Sequence, residues 1–436
     1  MISTDDPGFP VALLTSAELP AIDRHMAETG ASGYVLMERA GAAVAREVAM
    51  FAPDACRIVV VSGPNNNGGD CICAARALRE SGRDVTLALF ADLSQLPKDP
   101  AKAASTWHGP TIAASPSALD GADLIVDGLY GGGVKHDITG DAAAVVAAIN
   151  ASPARVLSVD FPTGISGVTG AVLGTAVRAD RTITFFCLKP GQLLAPGRSH
   201  CGPVVVDSIG IPASVMDTVN PRAFHNRPGL WRSSLLEAWP RAASVLVGSS
   251  PYMVAGVHAV GAASVRQPND AHAIAIADGG GSLAGNTPIV VSAAAIQRPD
   301  LARLRSQGRS VALAITGERF AGMYSDISGA SIFERVRLAA EKDGVVVIHL
   351  GTDRIVAAPD GRGAISNNAP EVPGTDEMCD IITGSVAGLA GRRMPSFEAA
   401  AAATWLLGQA QAASAVDIAT LASGITKSLL GIQGLP

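Results

Sequence analysis

Apolar runs alternate along most of this chain with stretches whose apolar residues recur at helical spacing. Residues 58–61 (IVVV) form an unbroken β-branched run, which suits a strand buried on both faces of a parallel sheet. Similar runs predict strands at 58–62, 84–90, 124–129, 156–159, 181–186 and 204–209. Helical spacing marks 16–28, then 34–50, where Met37, Ala40, Val44 and Val48 make the apolar side, then 71–80, where Ala74, Ala75 and Leu78 share one stripe. Such alternation predicts an α/β sandwich with a mainly parallel sheet. A second alternating segment has strand candidates at 244–248, 271–277, 289–292, 311–315, 345–350 and 354–358, closed by helices at 381–390, 397–412 and 416–430. Between them, 212–234 holds three prolines and little periodicity. The expected organisation is a first domain at 1–215, a linker at 216–234 and a second α/β domain at 235–436.

A length of 436 residues is too great for one ordinary core and agrees with two domains. Hydrophobic residues make up 48% and charged residues 17%, the balance of a well-buried globular protein. A net charge of −6, with no run of Lys and Arg, argues against a nucleic-acid-binding surface. No window approaches the ~20 uninterrupted apolar residues of a membrane span. The opening MISTDDPGFPVALL is acidic where a secretory signal is basic, so a cytoplasmic protein without a membrane partner is expected. The six cysteines (Cys56, Cys71, Cys73, Cys187, Cys201 and Cys379) lack paired metal-ligand spacing and read as free thiols of a reducing compartment.

Candidate chemistry follows the first strand. Gly63, Pro64, three asparagines, Gly68 and Gly69 cannot continue a strand, and Asp70 can cap the helix that comes next. A glycine-rich turn at a helix start presents free N–H groups and the positive end of the helix dipole, an anion site, and successive amides add oxygen ligands. The motif is neither G-x-G-x-x-G nor a P-loop. In parallel sheets ligands sit beyond the carboxyl ends of the strands. The strand at 124–129 carries Asp127 and runs into a glycine loop, the strand at 156–159 is followed by Asp160, Pro162, Thr163 and Gly164, and the strand at 181–186 by Lys189, Pro190 and Gly191. Their carboxylates, amides and hydroxyl could coordinate a hard cation or handle protons. Alternatively, both aspartates simply cap the loops after their strands. Lys189 could swing an ammonium over the same edge or stay a solvated loop lysine.

These motifs, in this order, resemble the NAD(P)H-hydrate epimerase domain over about residues 15–212, with MERAG at 37–41 and the segments 63–70, 127–141, 160–164, 169–180 and 202–212. The resemblance implies a Rossmann-like domain that interconverts the R and S epimers of hydrated NADH and NADPH, which carry a hydroxyl on the reduced nicotinamide ring. It further implies that Asn66, Asn67, Gly68, Gly69, Asp70, Gly131, Gly132, Gly133, Val134, Lys135, His136, Asp137 and Asp160 hold this small-molecule substrate. Asn67, Asp127 and Thr163 would ligate a potassium ion, and a homo-oligomer is expected. Epimerisation at a carbon bearing a hydroxyl beside the ring nitrogen requires that centre to become planar or open and to be rebuilt from the other face. One carboxyl can serve as acid and then as base; Asp127 or Asp160 is the expected group, with Lys189 or Lys135 biasing its pKa. Two positions depart from the family: Cys71 replaces a glycine, where its side chain could crowd the ligand, and Gly132 replaces a threonine.

The second half resembles, in order and in pieces, the ribokinase-like ADP- or ATP-dependent hydrate dehydratase that bifunctional relatives append: VLVGSS from Val245, ITGE from Ile315, AAPDG before Arg362 and CDIITGSVAGL from Cys379. Asp380 falls where the family's catalytic aspartate lies. Glu377, Met378 and Cys379 stand where the family has a Gly-Thr-Gly phosphate-binding run. An acidic and two bulky side chains there oppose a polyanion. The nucleotide-loop lysine is missing from Leu350-Gly351-Thr352-Asp353-Arg354, and Ile315 replaces the histidine of a His-Pro-Gly-Glu turn. The expectation is an epimerase whose second domain has lost dehydratase activity and ADP or ATP use, with Asp380 as a helix N-cap. A fully bifunctional enzyme and a non-catalytic dinucleotide-binding scaffold are the alternatives.

Overall fold

A computed structural model describes residues 2–3, 11–15, 18–248, 250–265, 273–276, 287–294, 296–413 and 418–432. The expected helix start at 16, the outer residues of the strand expected at 271–277, Ser249 and residues 416–417 lie outside the described residues. The chain forms two compact units, Met1–Pro221 and Arg222–Pro436.

In the first unit the sheet runs Ile2–Ser3, Val204–Asp207, Arg181–Phe185, Arg155–Val159, Leu124–Gly128, Arg57–Ser62, Asp84–Leu89, Thr111–Ala113. Every pairing is parallel except that of Ile2–Ser3 with Val204–Asp207. The central strand shows why its run is unbroken. Ile58 and Val60 join a core with Val44, Val48, Ile72 and Leu78, while Val59 and Val61 join a separate one with Val145, Val146 and Ile149. A strand with helices over both faces has no polar side. Leu19–Glu28, Gly33–Phe51 and Asn66–Glu80 supply the helices nearest the site, the second beginning at a Ser32 cap whose hydroxyl accepts from the Val35 amide.

In the second unit the strands run Ala263–Val265, Ser244–Val247, Ala273–Ile276, Ile289–Ser292, Val311–Thr316, Val346–Leu350, Arg354–Ala357, Gly363–Ser366, Ala223–His225. The Arg354–Ala357 strand is antiparallel to both neighbours and the other pairings are parallel. The core collects Trp231, Leu235, Met253, Val257, Ile381, Val386, Leu406 and Leu407. Both units therefore have the α/β class that the alternation predicts. The stretch 216–234, expected as a linker, is instead structured: it holds the end of Val215–Val219, the strand Ala223–His225 and the start of Pro228–Ala238. Its prolines sit where they are tolerated, Pro228 in the first helical turn, so they mark boundaries and not a spacer. Among the described residues no helix is long and apolar enough to cross a membrane.

Candidate active site

The turn after Arg57–Ser62 is held by its own asparagine. Asn65, and not Asp70, caps the helix: its Oδ1 accepts from the Gly68 amide at 3.1 Å and its Nδ2 donates to the Leu129 carbonyl at 3.2 Å. One side chain thus ties the helix start to the loop after the neighbouring strand. Gly63 is required by close approach, since a Cβ there would lie 1.7 Å from the Leu129 oxygen. Gly68 and Gly69 pack inward, against the Gly63 carbonyl and the Met37 side chain. Cys71 is fully buried with its Sγ against Gly128 and faces the strand, so it does not crowd the cleft.

Asp127 is buried within the strand Leu124–Gly128. Its Oδ2 accepts from the Ser158 hydroxyl at 2.8 Å and the Thr163 amide at 2.9 Å, and its Oδ1 from the Thr163 hydroxyl at 2.6 Å. Burial pushes its carboxyl above the usual range, and these hydrogen bonds only partly offset that. Asn67, 8% exposed, lies beside Gly131, and neither its amide oxygen nor its amide nitrogen has a hydrogen-bond partner among the described residues. A buried amide without partners costs free energy unless something binds it.

Asp160 follows the strand Arg155–Val159 with φ +63°, in the left-handed region. That turn aims its carboxylate at Lys189. The ammonium donates to Asp160 Oδ1 at 2.9 Å, to the Thr184 hydroxyl at 2.6 Å and to the Phe185 carbonyl at 3.2 Å. Lys189 is therefore fixed at the site and is not a solvated loop lysine. The Gly132 amide donates to Asp160 Oδ2 at 3.2 Å, and Gln192 Nε2 to the Asp160 carbonyl at 2.8 Å. Burial would raise the Asp160 carboxyl, but the charge and hydrogen bond of Lys189, with the Gly132 and Thr184 bonds, outweigh it and hold the group below the usual range. Asp70 goes the other way: burial raises it well above that range, the Asp160 charge adds to the rise, and Lys189 opposes it.

Two cavities meet at Asn66, Asn67 and Asp160. One, of about 540 Å³, is lined by Pro64 to Asn67, Tyr130, Gly131 and Gly133 to His136. The other, of about 580 Å³, has apolar walls and takes in Asp70 and Lys189. Of the residues expected to hold substrate, Asn66, Asn67, Gly131, Gly133, Val134, Lys135, His136 and Asp160 line the first cavity and Asp70 the second. Gly68, Gly69 and Gly132 line neither cavity, and Asp137 is exposed outside both linings. Gly132 has a packing reason: a Cβ there would lie 2.5 Å from the Phe161 ring. Asp127 lines neither cavity. Sequence reasoning missed Ser158, Thr184 and Gln192; only Gln192 had a visible signal, three residues after Lys189 with proline between, where its side chain accepts from the Lys189 amide.

In the second unit, Thr375 caps the helix Asp376–Gly391, accepting from the Met378 amide. Asp380 is thus a turn inside the helix and is not its N-cap. Its Oδ2 accepts from the Ser250 hydroxyl at 2.7 Å, while Oδ1 is buried without a partner among the described residues. Arg319 grips both oxygens of Asp376, at 2.9 and 2.7 Å, beside a cavity of about 460 Å³ lined by Thr316 to Arg319 and Pro373 to Asp376. Arg354, the first residue of the strand Arg354–Ala357, is buried and donates to the Gly351 carbonyl.

The first unit is therefore a parallel-sheet α/β domain whose strand ends carry a cleft of backbone donors, an ion-paired carboxylate and an orphaned amide. The model of the YjeF-related protein N-terminus matches residues 33–191. The NAD(P)H-hydrate epimerase of Limosilactobacillus fermentum is 37% identical over 201 residues, 45% of this chain and 97% of that protein. The chain belongs to the NAD(P)H-hydrate epimerase family. The bifunctional NAD(P)H-hydrate repair enzyme Nnr of Pyrobaculum aerophilum is 33% identical over 345 residues, which are 77% of this chain and 64% of that protein. A solved ADP/ATP-dependent NAD(P)H-hydrate dehydratase from Bacillus subtilis aligns over 43% of this chain and 91% of its own, at 16% identity and a TM-score of 0.31.

Proposed function

We propose that the first unit interconverts the R and S forms of hydrated NADH and NADPH, and that the second unit does not dehydrate them. The observation that carries the first part is the wall shared by the two cavities, where Asn67 and the Asp160–Lys189 pair stand beside a glycine loop suited to a diphosphate. The relatives' names supply the substrate class.

Asn67, Asp127 and Thr163 would hold a potassium ion. The donor set fits: the Asn67 oxygen has no partner, and Asp127 is a buried carboxylate without a cation among its hydrogen-bond partners. The ion would supply charge balance for that carboxylate.

For the second unit, the helix opens on Asp376 and Glu377, two carboxylates where an incoming phosphate needs bare N–H groups. Arg319, a cation at that end, is already engaged by Asp376. A bifunctional reading draws on two observations, the Oδ1 of Asp380 without a partner among the described residues and the alignment with the bifunctional enzyme of Pyrobaculum aerophilum, which runs into the second unit. The test incubates mixed epimers of hydrated NADH with the full chain, a purified S-specific dehydratase and ATP. The mixture is expected to consume both epimers, the dehydratase alone to leave R behind, and the chain with ATP to consume neither. Lingering R in the mixture overturns the epimerase reading, and NADH formed by the chain with ATP overturns the loss in the second unit.

A further inference from the structure

The two cavities differ in what they can hold. The glycine-lined one offers backbone groups, Lys135 and His136. The other is walled by Leu19, Ile22, Leu36, Met37, Phe185 and Ile211, and among the described residues its charged lining is Asp23, Asp70, Asp99 and Asp160 against the ammonium of Lys189. A diphosphate entering the second would meet four carboxylates, and the Lys189 ammonium there is already paired with Asp160. An uncharged, partly saturated ring would instead cover the apolar wall and present its hydroxyl and carboxamide to the polar floor.

On that floor the two carboxyls are unequal. Both oxygens of Asp160 are occupied, by Lys189, Thr184 and the Gly132 amide. Asp70, on the first turns of the helix Asn66–Glu80, faces the cavity and has no hydrogen-bond partner among the described residues. Asp127, hydrogen-bonded on both oxygens, lies outside the lining.

Building on the epimerase reading, we propose that the apolar cavity receives the hydrated nicotinamide ring while the glycine cleft takes the diphosphate, and that Asp70 is the catalytic residue exchanging a proton with the ring hydroxyl. In the forward half, Asp70 protonates the hydroxyl as the C–O bond breaks. The oxygen leaves as water with the bonding electrons, and the ring nitrogen's lone pair forms a C=N bond. In the return half, water adds to the other face of that carbon, the C=N electrons go back to nitrogen, and the water's proton goes to Asp70. Nothing is oxidised or reduced, and the carboxyl ends as it began. The raised pKa of Asp70 beside the depressed Asp160 suits a proton carrier next to a permanent charge.

The test uses the full chain and two probes, NADH and ADP-ribose, which lacks the ring. Leu36→Trp is expected to weaken NADH by about tenfold or more, as a filled subsite should, and to leave ADP-ribose binding unchanged. Equal loss of both probes overturns the ring subsite. Asp70→Asn, nearly isosteric, is expected to slow interconversion by about 10²–10⁴-fold with both probes still bound, and Asp70→Glu to recover part of the rate. Near-normal turnover in Asp70→Asn, or loss of ADP-ribose binding with it, overturns the role of Asp70. A wild-type chain that fails to interconvert the epimers refutes the epimerase reading, and the probe pair still judges the subsite.

Discussion

At the scale of single residues, the site depends on what each buried group is paired with. Lys189 is 12% and Asp160 26% exposed at the side chain, so their pairing is shielded from water. Lys189→Met should cost about 1–3 kcal/mol, because a shielded carboxylate is left without its counter-charge. The sign of its pH dependence follows. A carboxyl whose folded pKa lies below its unfolded one contributes stability that is present above the unfolded pKa and lost as pH falls through the folded value. Wild type should therefore weaken on the acid side of the carboxylate range, and Lys189→Met should lose that part of the slope in denaturant titrations. Gly132 makes a second case. Gly132→Thr puts a side chain into the Phe161 ring and should destabilise by about 1–3 kcal/mol, whereas combining it with Phe161→Leu should recover part of the loss. If the single substitution is neutral by thermal unfolding, close packing does not explain the glycine.

At the scale of elements, the helices Gly33–Phe51 and Asn66–Glu80 cross where Gly41 lets them touch. A Cβ on Gly41 would lie 2.4 Å from the Cys73 Cβ and 2.7 Å from the Ala74 amide nitrogen. Backbone cannot step aside as a side-chain tip can, so Gly41→Ala should cost about 3 kcal/mol and weaken NADH binding by displacing Asn66 and Asn67. Calorimetry and a binding titration would check the two effects together. The long strands and these helices were legible because β-branched runs and 3.6-residue spacing report burial directly. Thr111–Ala113, Ala223–His225 and Gly363–Ser366 were not, since three or four residues show no period and their pairing is set by distant neighbours. The caps were misassigned for a related reason. Asn65 and Asp70 are both good cap residues, as are Thr375 and Asp380, and only the backbone decides which one begins the helix. The candidate site followed the same division: the motifs pointed to Asn67, Asp160 and Lys189, which the structure places on cavity walls, but an apolar cavity assembled from Leu19 to Ile211 leaves no local trace.

At the scale of the whole molecule, the two units should respond differently to acid. In the second, His225 and His349 are buried, and burial lowers each pKa to about 4. His349 stands against Phe320 with Nδ1 at 3.2 Å from the Asp353 carbonyl, and His225 Nε2 is 2.8 Å from the Asn367 amide oxygen. A histidine with a depressed folded pKa takes up its proton more readily when unfolded. Its stabilising contribution is whole above the unfolded pKa and falls as pH drops toward the folded value, here from about 6.5 to about 4. Each should cost about 2 kcal/mol by pH 5. The unfolding midpoint of the second unit should drop between pH 7 and 5, and His349→Gln should flatten the drop. An unchanged midpoint would mean that these rings reach solvent or find other partners.

The tether of Asn65, gripping the helix start with one end of its amide and the opposite loop with the other, sets the width of the mouth before any guest arrives. A doorway already standing open asks little rearrangement of what enters. Heat measurements on ligand entry should then show only a small ordering penalty, and cutting that strut with Asn65→Ala should turn a rigid threshold into one that each visitor must rebuild.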